Sequence, residues 1–210
     1  MKIKLCGFVD EKPLKVAIDH GCDFVGLVFV KKSPRFLSLD QAAKIAPIIP
    51  PNIAKVAVVA NQNIDELKLI YDILKPQYFQ LHGDEDIEYI RQVRNLNQQI
   101  KIIKALSITS LQDIKQTKIF ENNVDFFLFD HKNAGSGTSF DWNFLNNLES
   151  KIPWFLSGGI NINNIEEALK KTKAQYIDIS SGIEVIRGTK SAELIVAILK
   201  KFKSLGDSTV

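Results

Sequence analysis

Cysteine is scarce in this chain: Cys6 and Cys22 are the only two among 210 residues, and they show no paired-Cys or Cys/His spacing. That argues against a disulfide framework or a zinc site and leaves two reduced thiols. Histidine is equally thin, with His20, His82 and His131 forming neither a helical pair nor a tract, so no metal-binding signature is present. No apolar run reaches the roughly eighteen residues that a membrane span needs. The first residues form a short apolar strand rather than a charged-then-apolar signal region, so a cytoplasmic protein with no membrane partner is expected. Charge of one sign is also lacking, with 27 Lys+Arg against 24 Asp+Glu and a formal net charge of +3. The lysines scatter over helical stretches such as Lys170-Lys171 and Lys200-Lys201 instead of forming a stripe, which argues against nucleic acid and leaves room for a small anionic substrate.

What is present is alternation. With 45% hydrophobic and 24% charged residues the composition is that of an ordinary globular chain, and nothing divides residues 1–210 into halves of different character, so one domain is expected. Short apolar or β-branched runs fall near Ile3–Leu5, Phe24–Val28, Lys55–Val59, Tyr78–Leu81, Lys101–Ala105, Phe126–Phe129, Trp154–Leu156 and Tyr176–Ile179. Amphipathic stretches follow them, at about Lys12–His20, Leu39–Ala46, Ile64–Leu74, Asp86–Leu96, Leu111–Phe120, Phe140–Leu148, Ile165–Lys171 and Ala192–Lys203. Asn63, Asn163 and Ser191 stand where caps belong. Eight βα units predict an α/β fold, a single-domain (β/α)8 TIM barrel. An open doubly wound sheet would show a Gly-rich nucleotide turn after its first strand, and Cys6-Gly7-Phe8-Val9 is not one.

In a barrel the residues just beyond each strand share one face, which is where barrel chemistry sits. Here that face receives Cys6, the loop Ser33-Pro34-Arg35, Gln80 with His82, Asp130 with His131, Ser157-Gly158-Gly159 and Ser180-Ser181-Gly182. Loops seven and eight are the usual phosphate cradle, and their small residues let backbone N–H groups approach an anion. Asp130 ends the apolar run Phe126-Phe127-Leu128-Phe129, a low-dielectric setting that favours a proton-donating carboxylic acid. Arg35 offers a fork suited to a carboxylate. Gly135-Ser136-Gly137-Thr138 reads as a flexible loop able to close over a ligand. Taken singly, each has a plainer reading: Cys6 as a core thiol, the glycines as tight turns, Asp130 as a helix cap, Arg35 as an exposed ion-pair partner. Only their gathering on one face points to a site.

In order and at these spacings, Lys4-Leu5-Cys6-Gly7, Gly26-Leu27-Val28-Phe29, Ser33-Pro34-Arg35, Gln80-Leu81-His82-Gly83, Phe129-Asp130, Gly135-Ser136-Gly137, Phe140-Asp141-Trp142, Ser157-Gly158-Gly159-Ile160 and Asp178-Ile179-Ser180-Ser181-Gly182-Ile183-Glu184 form a set. This set resembles the phosphoribosylanthranilate isomerase family of tryptophan biosynthesis. The resemblance implies an Amadori rearrangement of N-(5'-phosphoribosyl)anthranilate to 1-(2-carboxyphenylamino)-1-deoxyribulose 5-phosphate, with no metal and no organic cofactor. It implies Asp130 as acid and Cys6 as base, with the substrate bound by Arg35, Gln80, Gly158, Gly159, Ser180, Ser181 and Gly182, and a monomer or homodimer as the assembly. His131, Ser157 and the stretch from Val185 to Ser191 depart from the family's usual pattern. The alternatives are another phosphosugar barrel enzyme, whose patterns lead with acidic or lysine chemistry at strand one, and a catalytically silent phosphate-binding barrel, in which one of Cys6, Asp130 or Arg35 would be expected to be lost.

Overall fold

A computed structural model describes residues 1–131 and 139–207. The expected loop at Gly135–Thr138 lies outside the described residues. Eight parallel strands close into a barrel in sequence order: β1 (Lys2–Cys6), β2 (Phe24–Val28), β3 (Ala54–Val59), β4 (Tyr78–Leu81), β5 (Lys101–Ser107), β6 (Phe126–Asp130), β7 (Trp154–Leu156) and β8 (Tyr176–Ile179). Closure comes from β1, which pairs with β2 through Cys6 opposite Gly26 and with β8 through Lys4 opposite Asp178. Around it run α1 (Glu11–Asp19), α2 (Leu39–Ile45), α3 (Ile64–Leu74), α4 (Ile87–Leu96), α5 (Leu111–Lys115), α6 (Thr117–Phe120), α7 (Ile165–Thr172) and α8 (Ala192–Asp207). A short antiparallel ribbon, β9 (Glu184–Ile186) and β10 (Thr189–Lys190), stands between β8 and α8. No helix among the described residues is long and apolar enough to cross a membrane.

Three local expectations change. The stretch 140–148 forms a 3-10 helix over Trp142–Asn147, not an α-helix. Asn143, Asn146 and Asn147 are poor interior residues for an α-helix, and the Asp141 side chain accepts from the Asn143 N–H at 3.0 Å to start a tighter turn. The helix expected over 111–120 breaks at Gln116, whose N–H bonds back only three residues to Asp113, while the Thr117 hydroxyl takes the Ile114 carbonyl at 2.7 Å. Asn163 does not cap α7; Asn164 stands at that position without a side-chain cap. Asn63 and Ser191 behave as expected: Asn63 forms a capping box with Glu66, and Ser191 Oγ accepts from the Leu194 N–H.

Side chains alternate along every strand, so the barrel interior is filled in layers of four taken from alternate strands. At the amino-terminal end Phe24, Tyr78, Phe126 and Tyr176 form an aromatic plug, with Phe126 and Tyr176 edge-to-face at 5.1 Å. Above it come Lys4, Val56, Ile103 and Phe155, then Gly26, Gln80, Leu128 and Asp178, then Cys6, Val58, Ala105 and Ser157. Aromatic packing seals the bottom and polarity rises towards the top, which places a cavity at the carboxyl ends of the strands.

Candidate active site

The cavity at that end encloses about 300 Å³. Cys6, Arg35, Gln80, Asp130, Gly158, Gly159, Ser180 and Ser181 all line it, so the structure brings together every expected site residue except Gly182. Gly182 lies behind the wall, where a Cβ would fall on the Ile160 carbonyl oxygen; its missing side chain lets loops seven and eight pack against each other.

Cys6 ends β1 with its side chain inward, 6% exposed. Gly26 in β2 provides the space, since a Cβ there would stand 2.5 Å from the sulfur. Burial pushes the thiol's pKa up, and the cations Lys4 and Lys190 oppose that push. Across the cavity Asp130 is 6% exposed; its Oδ1 accepts from the His131 N–H at 2.7 Å and its Oδ2 lies 3.5 Å from His82 Nε2. His82 Nδ1 is 3.0 Å from Gln80 Nε2. With the amide donating, Nδ1 is the acceptor and the Nε2–H faces the acid. That arrangement leaves Gln80 Oε1 buried without a partner among the described residues.

Arg35 does not present the open fork the sequence suggested. It is 5% exposed and bound edge-on by Glu184, Nε to Oε1 at 2.7 Å and the second nitrogen to Oε2 at 2.8 Å. Glu184 Oε1 also accepts from Lys190 Nζ at 2.7 Å, and the two cations hold its pKa down at about 2 although burial pushes the other way. Lys190 reaches on to the Ser180 carbonyl at 3.0 Å, and the Ser180 hydroxyl donates to the Cys6 carbonyl at 3.1 Å, so loop eight is fastened to the end of β1. In loop seven Gly158 and Gly159 adopt φ of +86° and +66°. Two asparagine amides, Asn161 and Asn164, each donate to the Gly159 carbonyl at 3.0 Å, while Asn164 Oδ1, the atom that could cap α7, accepts from the Asn161 N–H at 2.8 Å. Arg187, in the turn of the β9–β10 ribbon, and Lys32 bring further positive charge to the cavity wall.

Residues 3–201 match the family described as N-(5'phosphoribosyl)anthranilate (PRA) isomerase. The chain belongs to the phosphoribosylanthranilate isomerase family. The N-(5'-phosphoribosyl)anthranilate isomerase of Rhizobium leguminosarum bv. trifolii is 38% identical over 200 residues, covering 92% of this chain and 90% of that one. The crystal structure of the isomerase from Thermotoga maritima superposes with a TM-score of 0.89 at 28% identity, over 97% of this chain and 99% of that one. A phosphoribosyl anthranilate isomerase in complex with reduced 1-(o-carboxyphenylamino)-1-deoxyribulose 5-phosphate superposes with a TM-score of 0.83 at 26% identity, over 97% of this chain and 99% of that one. The isomerase barrel of tryptophan biosynthesis read from the sequence is thus the family and fold of this chain.

Four participants escaped the sequence reading as site residues. Lys4 and Asp178 stood inside quoted motifs, yet only strand register reveals that both point into the barrel. Lys190 and Arg187 sit in the stretch that departs from the family pattern, whereas His82, already placed on the chemical face, turns out to meet Asp130. Among the described residues no group of three or more His, Cys, Asp or Glu is placed to hold a metal ion.

Proposed function

We propose that Asp130 is the general acid and Cys6 the general base of an Amadori rearrangement of N-(5'-phosphoribosyl)anthranilate. The observation that carries this reading is that a buried carboxyl and a buried thiol line one cavity whose wall also holds Lys32, Arg35, Arg187 and the Gly158-Gly159 pair. Asp130 gives its proton to the furanose ring oxygen; the C1–O bond breaks and the nitrogen lone pair forms the protonated imine. The Cys6 thiolate takes the C2 proton and the C2–H electron pair moves into C1=C2, yielding an enolamine. Its tautomerisation to the ketone leaves C1 reduced and C2 oxidised within one molecule, so no external redox partner is required.

Loops at Gly158-Gly159 and Ser180-Ser181 supply backbone N–H groups for the phosphate. Arg35, fixed against Glu184, places positive charge beside the anthranilate carboxylate, and Gln80 Oε1 accepts a hydrogen bond from a substrate hydroxyl or amine. A phosphorylated biosynthetic intermediate of this kind belongs to a cytoplasmic enzyme.

Purified protein is expected to consume fluorescent phosphoribosylanthranilate in the presence of EDTA. Asp130→Asn should lower kcat by about 10²- to 10⁴-fold, the usual share of a general acid, with a smaller change in KM. A near-wild-type kcat in that variant would refute the acid role.

A further inference from the structure

Lys4 is the anomaly of the barrel interior. Its layer is otherwise Val56, Ile103 and Phe155, and its own side chain has no exposed surface. An ammonium group in such a place is costly unless it is paired. Its partner is Asp178, directly opposite in the β1–β8 register and one layer higher, with Nζ to Oδ1 at 2.9 Å. The second Asp178 oxygen, Oδ2, lies 3.5 Å from the Ser157 hydroxyl. Cys6 is two residues after Lys4 on the same inward face of β1, above it and bordering the cavity that Lys4 does not reach.

We propose that Lys4, held by Asp178 beneath the cavity floor, is the positioning cation that favours the proton-accepting form of the Cys6 sulfur against its burial. The inference rests on the assignment of Cys6 as the general base. It explains why a buried lysine occupies a layer that an apolar side chain would fill at no electrostatic cost. The Lys4 ammonium lies on the same inward face of β1 two residues from Cys6, and its charge opposes the rise that burial imposes on the thiol. Burial works against the Lys4 charge, but the charges of Asp178 and Cys6 outweigh it and raise its pKa.

Other charged groups face the sulfur from the surrounding elements. β8 brings Asp178, which disfavours the thiolate, while Lys190 of β10 and Arg35 after β2 favour it. Those two cations share one anion, Glu184 of β9, and β6 and β4 contribute Asp130 and the ring of His82 across the cavity. Gly26 is the nearest residue of β2 and carries no charge. Lys4 differs from the other cations because it approaches from below, where no substrate group displaces it.

The test reads the thiol directly. In full-length protein carrying Cys22→Ala, the pH dependence of Cys6 alkylation by iodoacetamide gives the titration midpoint. Even native Cys22 would interfere little, since burial pushes its thiol up to about 12. Lys4→Met should raise the midpoint by about one unit or more, the shift expected from losing an adjacent opposite charge. Asp178→Asn should move it down. Lys4→Met/Asp178→Asn leaves no charge unpaired, which protects against a folding failure of the single variant, and should still raise the midpoint because Lys4 acts on the sulfur more strongly than Asp178. The ascending limb of the kcat profile should move with the midpoint while KM stays nearly constant. An unchanged midpoint in the double variant overturns the inference. A shifted midpoint with an unmoved kcat profile supports the role of Lys4 and instead overturns the assignment of Cys6 as base.

Discussion

Replacing Gly26 by alanine tests whether the seat of the Cys6 sulfur is as tight as the geometry requires. Gly26 lies in the middle of β2 at an ordinary strand conformation, so alanine meets no backbone strain and even gains about 0.4–1 kcal/mol by restricting the unfolded chain. Against that, the added methyl would stand 2.5 Å from Cys6 Sγ, 3.0 Å from its Cβ and 3.1 Å from its Cα. The last two atoms are backbone or backbone-anchored, so β1 must yield as well as the thiol. Overpacking of this kind costs about 1–3 kcal/mol, which leaves a net loss near 1–2 kcal/mol and a Tm lower by about 2–8 °C. The larger effect falls on rate: a reacting atom displaced by about 1 Å forfeits on the order of 10²-fold in kcat. Thermal unfolding and steady-state kinetics on the same preparation measure both. Cys6→Ala/Gly26→Ala supplies the internal control, because removing the sulfur relieves the shortest contact and should recover most of the lost stability. If Gly26→Ala keeps wild-type kcat, or if the double variant is destabilised by the full sum of its parts, the steric reasoning fails.

Two further outcomes follow from buried ion pairs. Glu85, with a fully buried side chain, binds Lys104 Nζ at 2.7 Å and accepts from the N–H groups of Asn61 and Gly83, so Glu85→Ala should cost about 3–5 kcal/mol in denaturant unfolding, with Glu85→Ala/Lys104→Met recovering a large part. Glu184 has its folded pKa depressed from 4.5 to about 2, so its contribution to stability is complete above pH 4.5 and fades as pH falls towards 2. Glu184→Gln should therefore flatten the acid limb of the stability–pH curve across that window, and an unaltered limb would show that Arg35 and Lys190 do not set this carboxylate.

The alternation of short apolar runs with amphipathic stretches, together with the ordered motifs from Cys6 to Glu184, determined the barrel, the family and the acid and base candidates from sequence alone. Those features are local: a period of two or of 3.6, a glycine, a charged residue after an apolar strand. Helix detail at 111–120 and 140–148 was less legible, because side-chain bonds of Thr117 and Asp141 compete with the helical ladder in ways a pattern does not display. Asn163 misled for a related reason, since Asn164 stands at the cap position and its side-chain oxygen is taken by the Asn161 N–H. What only the tertiary structure decided are the relations across the barrel: Glu184 closing on Arg35 from 149 residues away, Gly26 making room for Cys6, and Lys4 meeting Asp178 from 174 residues away. A lysine in a strand reads as exposed, because burying its charge alone is prohibitive; its inward place becomes tenable only when closure of β1 on β8 brings it a carboxylate.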